Sequence, residues 1–165
     1  MTQKRIKLDR INQRIMIELQ RNARISNIEL AETVALSPSA CLQRVKALEE
    51  TGMIKGYLMN PDIDLICYNV KAYGLVTLKS NDYEHGSRFE KCVKGIPEVI
   101  DCLKTSGAID YIALIMCSRI EDVNRLCDQL MAENLNIERL ETCFVMSAPK
   151  WFGGYPLENL EWKVE

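Results

Sequence analysis

The sequence predicts an α+β chain of two domains, a helical N-terminal third and a sheet-and-helix remainder. Three observations carry this. Apolar residues recur at helical spacing through the first fifty residues. Strand-forming runs and amphipathic helices then follow in the order β-α-β-β-α-β. The charge balance also reverses: residues 1–60 carry ten Lys/Arg against six Asp/Glu, and residues 61–165 carry eleven against seventeen.

Each helix of the first part has its own start signal. Leu8, Ile11, Ile15 and Leu19 share one face, which predicts a helix from Asp9 to about Arg21 with Asp9 as N-cap. Ser26 and Glu29 form a capping-box pair ahead of a short helix with Ile28, Leu30, Ala31 and Val34 on its apolar side. Ser37-Pro38 opens a third helix. In that helix Leu42, Val45 and Leu48 are expected to face inward beside Cys41, and Gly52 fits the position just past its end. Only "ALS" separates the last two helices, a helix-turn-helix pattern. "MIKGYLMNPD" then reads as a short extended segment, either a wing or a connector, and Asn60-Pro61 marks the boundary.

The second part alternates as follows. Residues 70–80 read as a strand and 85–96 as a helix with Phe89, Val93 and Ile96 on one side. "EVIDCLKTSGAIDYIALIMCS" reads as two strands around a turn at 106–109. Residues 119–134 form an amphipathic helix, and 137–151 return to strand. "WFGGYPLENLEW" is a tail with a Gly-Gly hinge, grouped with this second domain. The expected domains are thus 1–60 and 61–165.

Composition excludes several classes. No run of 18 apolar residues predicts a membrane span, and the charged N-terminus lacks a signal core, so a cytoplasmic location is expected. Seven scattered cysteines, odd in number and without C-x-x-C, read as small buried hydrophobes in a reducing compartment. No glycine-rich phosphate loop occurs, and the single His85 has no zinc-like spacing around it. No Cys/His nucleophile signature or paired catalytic carboxylates stand out, so neither cofactor, metal nor enzymatic activity is expected.

Two stretches carry chemistry. On the third helix Ser37, Ser39, Ala40, Gln43, Arg44 and Lys46 occupy the polar side near its start. Such a helix suits the major groove of double-stranded DNA: Gln pairs with adenine, Arg with guanine, and Lys suits phosphate. The plain alternative is a solvated helix face. It is outweighed by the capped helix before it, the tight turn and the basic balance. The turn "TSGAIDY" offers Thr105, Ser106 and Asp110 around Gly107, groups able to hold a small zwitterion; from composition alone it is a structural turn. A rival reading is a small-molecule sensor whose helical domain makes protein contacts.

The run L-S-x-x-x-C-L-x-R-V-x-x-L-E-x-x-G-x-I-x-G-Y, Leu36 to Tyr57, resembles the N-terminal domain of the Lrp/AsnC family of leucine-responsive, or feast/famine, transcription regulators. "TSGAIDY" resembles that family's G-x-x-D-Y turn. The resemblance runs from Leu8 to about Pro149 and implies a winged helix-turn-helix domain joined to a ferredoxin-like βαββαβ domain that dimerises through its sheet. It implies homodimers assembling into tetramers or octamers, with an amino-acid effector near the turn. By that match Gly107 and Asp110 are effector-site candidates, with Thr105, Ser106, Ala108, Ile109 and Tyr111 beside them, and Ser37 to Lys46 reads DNA. Departures are Ala40 where the family often has Pro, "LICYNV" where its linker often ends Leu-Gly, and the unmatched tail.

Overall fold

The structure is a computed structural model that describes residues 6–80 and 82–163. The chain divides into two compact units: residues 1–60 together with 151–165, and residues 61–150. The division at residue 60 falls where Asn60-Pro61 marks a turn, but the tail belongs to the first unit, not the second. Its contacts are long-range, and no local pattern announces them.

The first unit holds α1 (Arg10–Arg21), α2 (Asn27–Thr33) and α3 (Pro38–Glu50). All three caps form as the sequence dictates. The Asp9 carboxylate accepts from the Asn12 N–H, Ser26 and Glu29 close a full capping box, and Ser37 caps α3 with Pro38 at its first position. Ile15, Leu19, Leu30, Ala31, Val34, Cys41 and Leu48 form the core between the helices. Ala35 sits in the α2–α3 turn at φ 56°, where the Leu36 N–H reaches back to the Ala31 carbonyl. Gly52 ends α3 at φ 73°, the left-handed position that glycine adopts without strain.

Two inward expectations are corrected. Leu42 is 43% exposed and Ile28 61% exposed. Both lie at the edge of their helix's apolar stripe, outside the cluster of Leu30, Ala31, Val34, Cys41 and Leu48. Residues 53–62 form no strand; the Tyr57 hydroxyl donates to Glu49 Oε1 at 2.9 Å and ties this segment back to α3.

The second unit opens with a short helix the sequence did not suggest, α4 (Ile63–Ile66). It continues through β1 (Val70–Leu78), α5 (Tyr83–Val93), β2 (Val99–Lys104), β3 (Tyr111–Cys117), α6 (Ile120–Ala132) and β4 (Ile137–Phe144). The strand order is β2-β3-β1-β4, with every neighbouring pair antiparallel. β1 and β2 are therefore parallel across β3, and β3 and β4 parallel across β1. Those are the two interlocked split βαβ units of a ferredoxin-like fold.

Ala72, Gly74, Val76 and Leu78 of β1, and Tyr111, Ala113, Ile115 and Cys117 of β3, point to the buried face. They pack with Phe89 and Val93 of α5 and Val123, Leu126 and Leu130 of α6. At Gly74 an added Cβ would stand 3.3 Å from Ile115 Cδ1, so a side chain there would crowd the core. Ile96 lies past the end of α5, and Ile120 at the start of α6 is 50% exposed. The opposite sheet face carries Tyr73, Leu75, Leu103, Ile112, Leu114 and Met116, none of them fully buried.

Phe89 is 0% exposed and stacks on Tyr111 with ring centroids 4.6 Å apart. Phe89→Ala should therefore destabilise the second unit by about 3–5 kcal/mol. Denaturant unfolding followed by exchange of the β1–β4 amides measures this; a loss near zero would mean that the core closes over the gap.

Candidate functional site

The polar side of α3 is built from below. Cys41 and Leu48 are both 0% exposed and fix which side of the helix faces inward. Ser39, Gln43 and Lys46, spaced four and three residues apart, then share the outer side and are exposed. The first turn of α3 carries no acidic residue, so the positive end of the helix dipole is left unopposed for an anion. Asn27 Nδ2 donates to the Pro38 carbonyl at 2.8 Å and ties the start of α2 to the start of α3. Ala40 is half-buried, and the Ser37 hydroxyl is occupied as the cap, accepting from the Ala40 N–H at 3.3 Å.

Arg44 is engaged away from that outer side. Its Nη1 donates to Asp9 Oδ2 at 2.8 Å and to Asn12 Oδ1 at 3.0 Å. Asn12 is 1% exposed, the one buried polar residue among the described residues. Its own Nδ2 donates to the Lys7 carbonyl at 2.7 Å, and its N–H donates to Asp9 Oδ1 at 2.8 Å. Arg44 thus locks α3 onto the N-terminus of α1, and Ala40, Gln43 and Ala47 border a shallow cleft of about 380 Å³ beside this cluster. Burial alone would raise the Asp9 pKa. The Asn12 N–H and the Arg44 guanidinium outweigh it and hold that carboxyl below its ordinary 3.8. The sequence did contain a sign of the lock, since Asn12 is a polar residue on the face of Ile15 and Leu19.

The 105–111 turn sits between β2 and β3 and is held by its own groups. The Thr105 N–H donates to the Asp110 carbonyl at 2.8 Å, and the Thr105 hydroxyl donates to the Ile109 carbonyl. The Asp110 N–H donates to the Val76 carbonyl at 2.9 Å, and Asp110 Oδ2 accepts from the Leu78 N–H at 2.7 Å. Asp110 therefore fixes the turn to the end of β1. Thr77 Oγ1 donates to the Ala108 carbonyl at 3.3 Å.

Ser106, Gly107 and Ala108 form the exposed tip, with Gly107 at φ 119°. Ile109 is half-buried, and Tyr111 is buried with its hydroxyl donating to Glu90 Oε1 at 3.0 Å. Burial, then that bond to Glu90, pushes the Tyr111 hydroxyl up to about 12. The seven residues are contiguous in space. The Thr105 hydroxyl is used within the turn, whereas Asp110 and Tyr111 are spent on β1 and α5, and the tip backbone is the accessible part.

The sheet register puts a second cavity at the other end of the unit, beside Val70 and Cys117. It measures about 640 Å³ and is bordered by Tyr68, Glu98, Asp122, Arg125 and Glu133. None of the candidate binding residues lines it. Among the described residues no group of three or more His, Cys, Asp or Glu is placed to hold a metal ion. The single histidine, His85, is paired through Nδ1 with Asp82 Oδ2 at 2.7 Å, on the cap of α5.

The lock can be tested on its own. Arg44→Ala leaves the buried Asn12 oxygen without that donor and should cost about 1–2 kcal/mol, discounted for partial exposure of the Asp9–Arg44 pair. Exchange of α1 and α3 amides reads the loss. Because the Asp9 pKa is lower folded than unfolded, its stabilisation is present above pH 3.8 and is lost as pH falls through the lower folded value. Asp9→Asn should flatten that acid limb, and an unchanged limb would remove Asp9 from the lock.

Comparisons with known proteins agree with this fold. Residues 8–55 match the winged helix-turn-helix DNA-binding family, and residues 71–153 match the Lrp/AsnC ligand binding domain. The chain is 34% identical over 145 residues to the transcriptional regulatory protein DoeX of Halomonas elongata, covering 88% of this chain and 92% of that one. It is 34% identical over 146 residues to the leucine-responsive regulatory protein of Haemophilus influenzae, covering 87% and 86%. Among solved structures, an AsnC family transcriptional regulator from Agrobacterium tumefaciens superposes with TM-score 0.82 at 25% identity, over 93% of this chain and all of that one. A transcriptional regulator from Neisseria meningitidis, solved as an L-Met complex, superposes with TM-score 0.77 at 27% identity, over 87% and 93%. With a DNA-binding helix-turn-helix unit and a ligand-binding βαββαβ unit in one chain, this protein belongs to the Lrp/AsnC family of transcriptional regulators.

Proposed function

We propose that the protein is a sequence-specific DNA-binding regulator whose DNA affinity or assembly responds to a small amino-acid effector. The observation that carries the DNA half is the outer side of α3. Ser39, Gln43 and Lys46 are exposed together on a helix whose other side is fixed by Cys41 and Leu48. In this reading Gln43 contacts a base edge, Lys46 and Ser39 contact backbone phosphates, and Ala40 allows close approach. Arg44 acts as a positioning residue that sets the angle of α3. The exposed Leu42 is suited to a thymine methyl group.

The effector half rests on the family's ligand-binding domain and on the relative that was solved with L-Met. We place the amino acid at the 105–111 turn, where the exposed backbone around Gly107 is able to meet a carboxylate or ammonium. The apolar outer sheet face supports a homodimer, and dimers assembling into tetramers or octamers would bring several α3 helices to one DNA. An effector that binds one arrangement of subunits better than another by about 1–3 kcal/mol per site is enough to switch DNA occupancy.

The experiment is binding of the purified protein to its own upstream DNA at two salt concentrations, with and without each of the twenty amino acids. Salt-sensitive, sequence-preferring binding that one amino acid shifts is the expected result. Salt-insensitive or absent binding would instead favour a helical domain that makes protein contacts.

Two variants sharpen the test. Lys46→Ala should weaken all sequences alike and reduce the slope of log affinity against log salt by about 1, whereas Gln43→Ala should cost about 1–3 kcal/mol and relax the preference at one base pair. Gly107→Val, strained at φ 119°, should abolish the response to the effector while leaving DNA binding without effector intact. A full response in Gly107→Val would move the effector site away from the turn.

A further inference from the structure

Residues 151–165 belong to the N-terminal unit although the chain passes through the whole second unit before reaching them. Their described part is fastened to the C-terminal end of α1. Gln20 grips both backbone groups of one residue: its Nε2 donates to the Tyr155 carbonyl at 2.7 Å, and its Oε1 accepts from the Tyr155 N–H at 3.0 Å. One turn on, Arg21 Nη2 donates to Glu158 Oε1. Between these points the chain is folded, not trailing. The Leu157 N–H reaches the Tyr155 carbonyl and the Asn159 N–H reaches the Pro156 carbonyl, both at 2.8 Å, around a turn of 3-10 helix at Leu157–Asn159.

Gly154 is required here on two independent grounds. It lies at φ 115°, and a Cβ there would stand 2.9 Å from Gln20 Cδ. Gln20 is flexible, but it would have to give up both bonds to Tyr155 to move away. Phe152 and Tyr155 meet edge to face, 5.0 Å between centroids, on either side of the Gly-Gly pair.

We infer that residues 151–160 are a strap, that the face of α1 bearing Gln20 and Arg21 is its receptor, and that the strap is a second covalent connection restraining the DNA-binding unit. The chain leaves that unit at residue 60 and returns at 151. A unit held by one chain crossing can swivel about it, whereas a second crossing, once docked, closes a loop and narrows that freedom. The receptor contacts are exposed and individually weak. They suffice because docking is intramolecular, at high effective concentration. Gln20 and Arg21 lie on α1, outside the reading side of α3, so the strap leaves that side open. Restraint of the DNA-binding units makes the spacing between half-sites count, a consequence that rests on the DNA-binding reading above.

The test compares the full chain with Gln20→Ala and Gly154→Val. In hydrogen exchange, the peptide covering 151–160 should be protected in the parent protein and exchange about tenfold faster in both variants, with β1–β4 unchanged. The second arm uses a duplex that the parent protein selects from a random pool, with its half-sites then moved apart by half a helical turn. Parent affinity should fall about tenfold or more, and variant affinity about threefold or less. An unprotected strap in the parent, unchanged exchange in both variants, or an equal spacing penalty in parent and variants would overturn the proposal. A parent protein that selects no duplex would strike the DNA-binding reading instead, and the exchange arm would then decide the strap.

Discussion

The DNA-binding unit depends on one polar knot built around the buried Asn12. α3 is a 13-residue helix joined to α2 by a tight turn, with only Cys41 and Leu48 buried along it. Two buried side chains fix which side faces inward, but they do little to fix the tilt. The Arg44–Asp9–Asn12 cluster supplies that second constraint, because hydrogen bonds have direction and apolar contacts do not. It also couples two ends: the carboxylate that caps α1 is the same one that holds the guanidinium from α3. A change at the cap of one helix is therefore felt in the angle of the other.

The second unit solves a comparable problem at its turn. A hairpin tip is normally the loosest part of a sheet. Here Asp110 reaches across to the end of β1, and Tyr111 anchors the next residue in the core against Phe89 and Glu90. The tip, Ser106 to Ala108, is thus an exposed three-residue element on a rigid base. That arrangement leaves backbone N–H and carbonyl groups open to solvent on a part of the sheet that is held in place.

Much of this was legible in the sequence wherever the cause is local. The caps at Asp9, Ser26 and Ser37, Pro38 at the start of α3 and Gly52 after its end each depend on residues within a few positions, and each formed as read. The βαββαβ order was legible from period and turn residues. What the sequence did not disclose is partnership over distance. Periodicity groups Arg44 with the polar side of α3, but does not show that Asp9, 35 residues earlier, draws it away from that side. The same limit applies to Leu42 and Ile28, which the packing of the three helices leaves outside the core cluster. It explains the tail as well, whose bonds to Gln20 span 135 residues. At the 105–111 turn the residue types were apparent, while the bond from Asp110 to the end of β1 became visible only with the strand register.

The tail contacts also bear on how far the halves of such a protein are interchangeable. The DNA-binding unit is discontinuous in the chain, made of residues 1–60 and 151–165. A cassette cut at residue 60 would leave Gln20 and Arg21 facing water and would carry the strap away on the wrong half. Grafting this reading head onto another effector domain therefore calls for two junctions, with the last fifteen residues travelling beside the first sixty. By the same reasoning, a recombination event that exchanges only the N-terminal portion between relatives would yield a head whose C-terminal segment was shaped for a different α1.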